Sequence, residues 1–360
     1  MDYHEGMDPR IARLLDASAN RAREGLRVME DHARFVLNRA DLSERLKQTR
    51  HAVTRIANSL GAGALLAARD VAGDVGVGVR APAEQSRADP EGVVRAAAGR
   101  CTEALRSLEE FAKCIDVAAA EDFAAMRYEV YAVEQALLVG AARRLRIRAA
   151  RVQVLLTGSL CRGDWRTVAR QVLQAGADVL QLREKSMPDR ELLDRARWLR
   201  GLTRDQGSLL IVNDRPDLAR LADADGVHVG QADLPVAEAR SIVGADRLVG
   251  VSTHDAEQFE AALAAQPDYI AVGPMYESST KPGATPAGIA LLQRVSGRAA
   301  AVGMPLAAIG GVSSARAAEV ARAGGRCVAV CADVIGSPDP AAAIRALRAA
   351  LEPECTASAV

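Results

Sequence analysis

Val179-Leu180-Gln181-Leu182-Arg183-Glu184-Lys185 is followed by Ser186-Met187-Pro188-Asp189. A short apolar run that ends in a turn signal reads as a β-strand passing into a loop. Side chains alternate across a strand, so Gln181, Arg183 and Lys185 share one side and Leu182 lies on the other. Two cations and an amide at the carboxyl end of a strand suit a polyanion such as a pyrophosphate. A solvated strand end would show the same residues, so the surrounding chain has to decide between the two.

Seven more runs of this kind occur beyond residue 151: Val152–Leu156, Leu209–Val212, Gly226–Val229, Leu248–Val251, Tyr269–Val272, Leu306–Ile309 and Val328–Cys331. Amphipathic stretches such as Trp165–Ala175, Arg190–Gln206 and Ala315–Ala323 separate them, and Pro340–Leu351 follows the last. Eight strand–helix units in about 200 residues predict a closed (βα)8 TIM barrel; an open doubly wound sheet is the alternative. In a barrel, chemistry collects in the loops after the strands. Those loops hold Gln181, Arg183 and Lys185; Asn213 and Asp214; Asp233; Ser252 and His254; Ser278, Thr280 and Lys281; and Gly310, Gly311 and Ser313. All six polar clusters are therefore expected on one rim, which favours the functional reading of the opening stretch.

The residue types divide the work. Asp214 and Asp233 are hard oxygen ligands from neighbouring strands, and two carboxylates plus ligand phosphates are a usual way to hold Mg2+. Either Asp alone could equally cap a helix. Arg183, Lys185 and Lys281 would complete a Mg-pyrophosphate cradle. Gly310-Gly311 ahead of Ser313 reads as a backbone nest for a phosphate monoester, or as a tight turn. His254 is either a satisfied rim residue or a substrate contact. Ser252 lacks a nucleophile-elbow context, so covalent catalysis is not expected.

The N-terminal half reads as helix. Helical spacing covers Arg10 to Leu37, and Asp41 is placed to cap a second helix from Leu42 to about Leu60. A Gly-rich passage from Gly61 to Gly78, with Arg69, Asp70 and Asp74, reads as a loop ending near Pro82. Helix resumes at Asp89-Pro90 and runs to about Ile115, and another covers roughly Glu121 to Ile147. The segment Arg21–Asp31 repeats as Arg100–Glu110, giving Arg/Glu/Arg/Glu at Arg21, Glu24, Arg27 and Glu30 and again at Arg100, Glu103, Arg106 and Glu109. Two helical pairs predict a pseudo-symmetric four-helix arrangement. The repeated charges form either exposed ion-pair faces or a shared polar site. The chain is thus an all-α domain over residues 1–148 followed by the α/β barrel over 149–360.

Composition narrows the function classes. Of 360 residues 49% are hydrophobic and only 3% aromatic, so the core must be Ala, Leu and Val. Lys+Arg and Asp+Glu are 46 each, so no global basic field exists to hold nucleic acid. The cysteines, Cys101, Cys114, Cys161, Cys327, Cys331 and Cys355, show no zinc-ligand spacing. No run is apolar and long enough to span a membrane, and Met1-Asp2-Tyr3-His4-Glu5 does not open a signal peptide; a cytoplasmic protein is expected.

The barrel half resembles the thiamine phosphate synthase family. The matching motifs are QLREK (181–185), VND (212–214), GVHVGQAD (226–233), GVSTH (250–254), YIAVGP (269–274), STK (279–281) and AIGG (308–311). The resemblance implies an Mg2+-dependent transferase joining hydroxymethylpyrimidine diphosphate to thiazole phosphate, with release of diphosphate. By position it implies that Gln181, Arg183, Lys185, Asn213, Ser252 and Lys281 bind the pyrimidine diphosphate. Arg183, Lys185, Ser252 and Lys281 would be catalytic, and Asp214 and Asp233 would hold Mg2+. Ser278, Thr280, Gly311, Cys331 and Ala332 would bind on the thiazole phosphate side. Two departures stand out: Ser278 replaces a frequent Thr, and Cys331-Ala332 stands where a residue pair ending in Ser is usual, so a hydroxyl is lost. The N-terminal half resembles a helical fusion domain associated with phosphorylating the pyrimidine monophosphate, through Asn20–Arg27 and Arg69-Asp70 with its Gly-rich loop. The competing readings are a thiazole tautomerase-like barrel and a non-catalytic helical dimerisation or interaction module. Small-molecule substrates are expected, without nucleic acid or membrane, and a homo-oligomer is compatible with the sequence.

Overall fold

The computed structural model describes residues 7–37, 39–75, 86–278 and 286–352. The chain divides into two compact units, Met1–Ala141 and Ala142–Val360.

In the first unit, α1 (Pro9–Asp31) starts where the Asp8 carboxylate accepts from the Arg10 N–H, with Pro9 in the first turn. It passes into a π-helical turn, His32–Val36. The second helix, α2, runs Ala40–Ser59, and Asp41 does not cap it. Arg39 holds the cap position, and Asp41 lies in the first turn, where it pairs with Arg39 at 2.6 Å and favours the helix dipole. The Gly-rich passage is not all loop, because Ala62–Ala67 forms a short helix, α3. Its Ala and Leu residues are strong helix formers and Leu65 is buried, which outweighs the flanking glycines. Arg69 pairs with Asp16 at 2.7 Å, and the Arg13 guanidinium donates to the Asp70 carbonyl at 2.9 Å, so both tie the passage to α1. The end of the passage, Gly76 to Pro82, lies outside the described residues. Helix α4 (Pro90–Ala112) is capped by Asp89, and α5 (Val117–Ala149) follows.

The repeat explains how these helices pack. Ala22 and Cys101 are equivalent positions in the two copies, and the Cys101 thiol donates to the Ala22 carbonyl at 3.5 Å. Gly25 lets α1 and α4 approach, since a Cβ there would lie 2.7 Å from the Ala97 carbonyl oxygen. The first three repeated charges of each copy are exposed, as an ion-pair face would be. The fourth is not: Glu30 and Glu109 are buried. Glu30 accepts from Arg50 on α2 at 3.0 Å, and Glu109 accepts from Arg127 on α5 at 2.9 Å. Each copy therefore ends in a buried Glu–Arg tie to the following long helix.

The second unit is a closed parallel barrel in the order β1-β2-β3-β4-β5-β6-β7-β8. The strands are β1 (Val152–Leu156), β2 (Val179–Leu182), β3 (Leu209–Asn213), β4 (Gly226–Val229), β5 (Leu248–Thr253), β6 (Tyr269–Val272), β7 (Leu306–Ile309) and β8 (Cys327–Val330). The helices around them are α6 (Trp165–Gln174), α7 (Asp189–Asp205), α8 (Pro216–Leu221), α9 (Val236–Val243), α10 (Ala256–Ala264), α11 (Gly288–Ala301), α12 (Ser314–Arg322), α13 (Ala332–Ile335) and α14 (Pro340–Leu351). Strand alternation splits the core in two. Val154, Leu156, Leu180, Leu182, Val212 and Val251 face the helices. Leu155, Val179, Ile211, Leu248, Tyr269 and Ala329 fill the barrel.

Charge locks the amino ends of the strands. Asp178, Asp225 and Asp268 stand before β2, β4 and β6, and each accepts a backbone N–H from the strand before it, those of Val152, Leu210 and Val249. Arg143 reaches Asp225 at 3.0 Å and Asp246 at 2.8 Å, and Arg144 reaches Asp268 at 2.7 Å. These contacts explain why the last turns of α5 belong to the barrel. They also leave the carboxyl ends of the strands as the face available for chemistry.

Candidate active site

A cavity of about 800 Å3 opens at the carboxyl ends of the strands. Gln181, Arg183, Lys185, Asn213, Asp214, Asp233 and Ser252 line it, as do Ser278, Gly311, Cys331 and Ala332. Thr280 and Lys281 lie outside the described residues. The inward phase of β2 buries Gln181, and the chain beyond it carries Arg183 and Lys185 to the rim.

Asp214 leaves β3 with φ 62°, a left-handed conformation that Asp tolerates better than most residues, and its N–H donates to the His228 carbonyl at 2.8 Å. The Asp233 carboxylate accepts from the Gly230 N–H at 2.7 Å. Burial raises the pKa of Asp214, the contact with Asp233 raises it further, and Lys185 and Arg183 partly oppose both effects. Two crowded carboxylates that cannot both carry charge comfortably are a suitable donor pair for a hard divalent cation, which takes the place of the proton. Among the described residues no cluster of three or more His, Cys, Asp or Glu side chains could hold a metal. Further ligands would then have to come from phosphate or water.

On the opposite side, Gly310 and Gly311 have φ 95° and 64°, and α12 starts just beyond. Positive φ at consecutive glycines aims backbone N–H groups into a common concavity that fits an anion. Cys331 and Ala332 complete this side without a hydroxyl, and burial raises the Cys331 thiol above its ordinary pKa. His254 behaves as a rim residue: it lines the cavity, and its Nδ1 is 2.5 Å from the Gly273 carbonyl oxygen.

Sequence reasoning missed a polar chain inside the barrel. The His228 Nε2 lies 2.8 Å from the Ser252 hydroxyl, and its Nδ1 lies 2.9 Å from the Tyr269 hydroxyl. Gln153 and Gln181 lie beside the same tyrosine hydroxyl and lower its pKa against the effect of burial. Two cavity residues, Gln181 and Ser252, are thus joined through Tyr269 and His228. The signal was available: Gln153, Gln181 and His228 are polar residues at inward positions of otherwise apolar strands. Arg316 was missed as well. It lines the cavity, lies over the Tyr276 ring at 4.4 Å and donates to the Gly311 carbonyl at 2.7 Å.

Burial lowers the His228 imidazole from 6.5 to about 4, so it is neutral near pH 7. Because the folded value is the lower one, the unfolded chain binds more protons between the two. The stabilisation is complete above about pH 6.5 and is lost as pH falls to about 4, an effect of up to about 3 kcal/mol. His228→Gln is expected to flatten the acid limb of melting temperature against pH over that window. An unchanged acid limb would rule this origin out.

Comparison with known proteins agrees with this geometry. Residues 152–334 match the thiamine monophosphate synthase family, and residues 13–136 match the ThiD2 family. A thiamine-phosphate synthase of Synechococcus sp. (strain CC9605) is 40% identical over 344 residues, 95% of each chain. The chain belongs to the thiamine monophosphate synthase family. Another relative, the thiamine-phosphate synthase of Prochlorococcus marinus (strain MIT 9303), is 41% identical over 340 residues, 93% of this chain and 94% of its own. Among solved structures, a thiamine phosphate pyrophosphorylase from Pyrococcus furiosus is 30% identical with a TM-score of 0.52, covering 58% of this chain and 98% of its own. The activity is that of a thiamine-phosphate synthase, a transferase of thiamine biosynthesis. No helix among the described residues is long and apolar enough to cross a membrane.

Proposed function

We propose that the barrel cavity binds 4-amino-2-methyl-5-(diphosphooxymethyl)pyrimidine beside a thiazole phosphate and couples them with the residues described above. Arg183 and Lys185 hold the diphosphate, joined by Lys281. Gln181, Asn213 and Ser252 orient the aminopyrimidine, with Gln181 and Ser252 preset by the Tyr269–His228 chain. Gly311, Cys331 and Ala332 receive the thiazole phosphate through backbone N–H groups, beside Ser278 and Thr280. Asp214 and Asp233 hold Mg2+, which when bound neutralises charge on the departing diphosphate.

The reaction needs no protein nucleophile. The bond between the methylene carbon and the diphosphate oxygen breaks, and its electron pair leaves with diphosphate. The cations at Arg183 and Lys185 stabilise that developing charge in a partly enclosed cavity. The aminopyrimidine ring spreads the positive charge left on the methylene. The thiazole nitrogen, held close by its own phosphate, then forms the new carbon–nitrogen bond. The convergence of Arg183, Lys185, Asp214 and Asp233 on one cavity carries this reading. It also disfavours a tautomerase, which handles no diphosphate. A steady-state assay of the purified chain should give thiamine phosphate and diphosphate only with Mg2+. Metal-independent turnover would refute the assignment of the carboxylate pair.

For the first unit we propose phosphorylation of the pyrimidine monophosphate, the role implied by its resemblance to the helical fusion domain. The ThiD2 match over residues 13–136 supports this reading. Glu30 and Glu109 each form an ion pair, with Arg50 and Arg127, which ties the helices together. In a full-length Asp233→Ala chain, ATP and the pyrimidine monophosphate should yield the diphosphate, which then accumulates. Absence of diphosphate would favour a non-catalytic module.

A further inference from the structure

Glu184 is the one member of the QLREK stretch whose polar side chain has no part in the cavity. Its side chain is only 10% exposed. Its Oε1 accepts from the Gly158 N–H at 2.7 Å and from the Arg195 guanidinium on α7 at 2.6 Å. Arg195 lies over the Trp165 ring at 4.4 Å. Glycine at 158 leaves room for this packing: a Cβ would sit 2.5 Å from Arg195 Nη1 and 3.1 Å from the Glu184 carboxylate, so those side chains would have to shift. Two further bonds fix the neighbouring backbone: the Thr157 hydroxyl donates to the Arg183 carbonyl at 2.7 Å, and the Arg183 N–H donates to the Leu156 carbonyl at 2.9 Å.

A second cavity, of about 710 Å3, lies on the Glu184 side. Arg183 and Lys185 line this cavity as well as the one holding the carboxylate pair. The strand tip therefore stands between two cavities, and its two cations could serve either. Pinning the residue between them fixes the tip: with Glu184 held by the Gly158 N–H and Arg195, the short segment that carries Arg183 and Lys185 is anchored at the wall between the two cavities. Arg195 also neutralises Glu184, so the tip presents positive charge to a polyanion.

We propose that Glu184 is a positioning residue, whose carboxylate, locked to Arg195 and the Gly158 N–H, aims Arg183 and Lys185 at the diphosphate. This rests on the assignment of those two cations as diphosphate ligands. The test uses the full chain and measures KM for each substrate and inhibition by inorganic diphosphate in Glu184→Gln and Arg183→Ala. For Glu184→Gln we expect KM for the pyrimidine diphosphate and Ki for diphosphate to rise about 10- to 100-fold, with KM for the thiazole phosphate unchanged. A merely structural role would move both KM values together or neither, and either result overturns the proposal. Removing one partner of a buried pair can prevent folding. Gly158→Ala then serves instead, since its Cβ would press on Arg195 Nη1 and the Glu184 carboxylate and disturb the tie without removing either partner, and the same split is expected. If Arg183→Ala leaves both diphosphate constants unchanged, the ligand assignment itself fails. If Arg183→Ala raises them and Glu184→Gln does not, only the positioning role fails.

Discussion

Asp233→Ala is expected to lower kcat/KM by about 10²- to 10³-fold while leaving the melting temperature nearly unchanged. The carboxylate is exposed; it accepts from the Gly230 N–H and otherwise meets the Asp214 carboxyl, a contact that raises the pKa of Asp214. Losing such a bond at the surface costs about 1 kcal/mol or less. Removing Asp233 also relieves Asp214, whose pKa is raised by burial and by this neighbour, and returns it toward the ordinary carboxylate range. The fold therefore loses little. Catalysis would lose one of the two carboxylates proposed to hold the cation that offsets charge on the leaving group, an effect of several kcal/mol, each 1.4 of which is about tenfold in rate. Activity titrated against Mg2+, paired with a melting curve, separates the two effects. Wild-type activity, or a collapse of the fold, would contradict this account of Asp233.

Gly250→Ala should have the largest effect on stability. Gly250 on β5 is in register with Tyr269 on β6. A Cβ at residue 250 would lie 2.1 Å from Tyr269 Cζ and 2.6 Å from its hydroxyl, far inside van der Waals contact. Both strands sit in a closed barrel, so the ring rather than the backbone has to move. Overpacking of this kind costs about 1–3 kcal/mol. The displaced hydroxyl would also leave the His228 Nδ1 without its buried partner, at about 1–3 kcal/mol. A total loss of about 2–6 kcal/mol is expected in chemical denaturation, together with loss of activity as Gln181 and Ser252 lose their orientation. Adding Tyr269→Leu to Gly250→Ala should restore part of the stability but not the activity, because the volume conflict ends while the polar chain stays broken. A double variant no more stable than the single one would show that the clash lies elsewhere.

The barrel was legible because each strand writes its own alternation. In β2, Leu180 and Leu182 face the helices while Val179 and Gln181 face inward, and that period is visible in four letters. The rim residues were legible for the same reason: once strands are placed, the loops after them are fixed. What pairs with what across strands was not legible. Nothing local in His228 or Tyr269 reveals that they meet, since the two lie 41 residues apart and are joined only by barrel closure. Glu184 has no role legible in the sequence, because its partners, Gly158 and Arg195, come from other elements. In the helical half the repeat was plain, but exposure divided its charges unevenly, burying Glu30 and Glu109 alone. Asp41 shows the limit of capping rules, since a helix that starts two residues early turns a cap into a first-turn carboxylate.

The central claim is that Arg183, Lys185, Asp214 and Asp233 form one cradle for magnesium and diphosphate. A crystal structure of the full chain with Mg2+ and diphosphate tests it most directly. The account predicts a cation ligated by Asp214 and Asp233 and by diphosphate oxygens, with Arg183 and Lys185 on the same diphosphate. Diphosphate bound in the cavity beside Glu184 and Trp165, or a cation that touches neither aspartate, would contradict it.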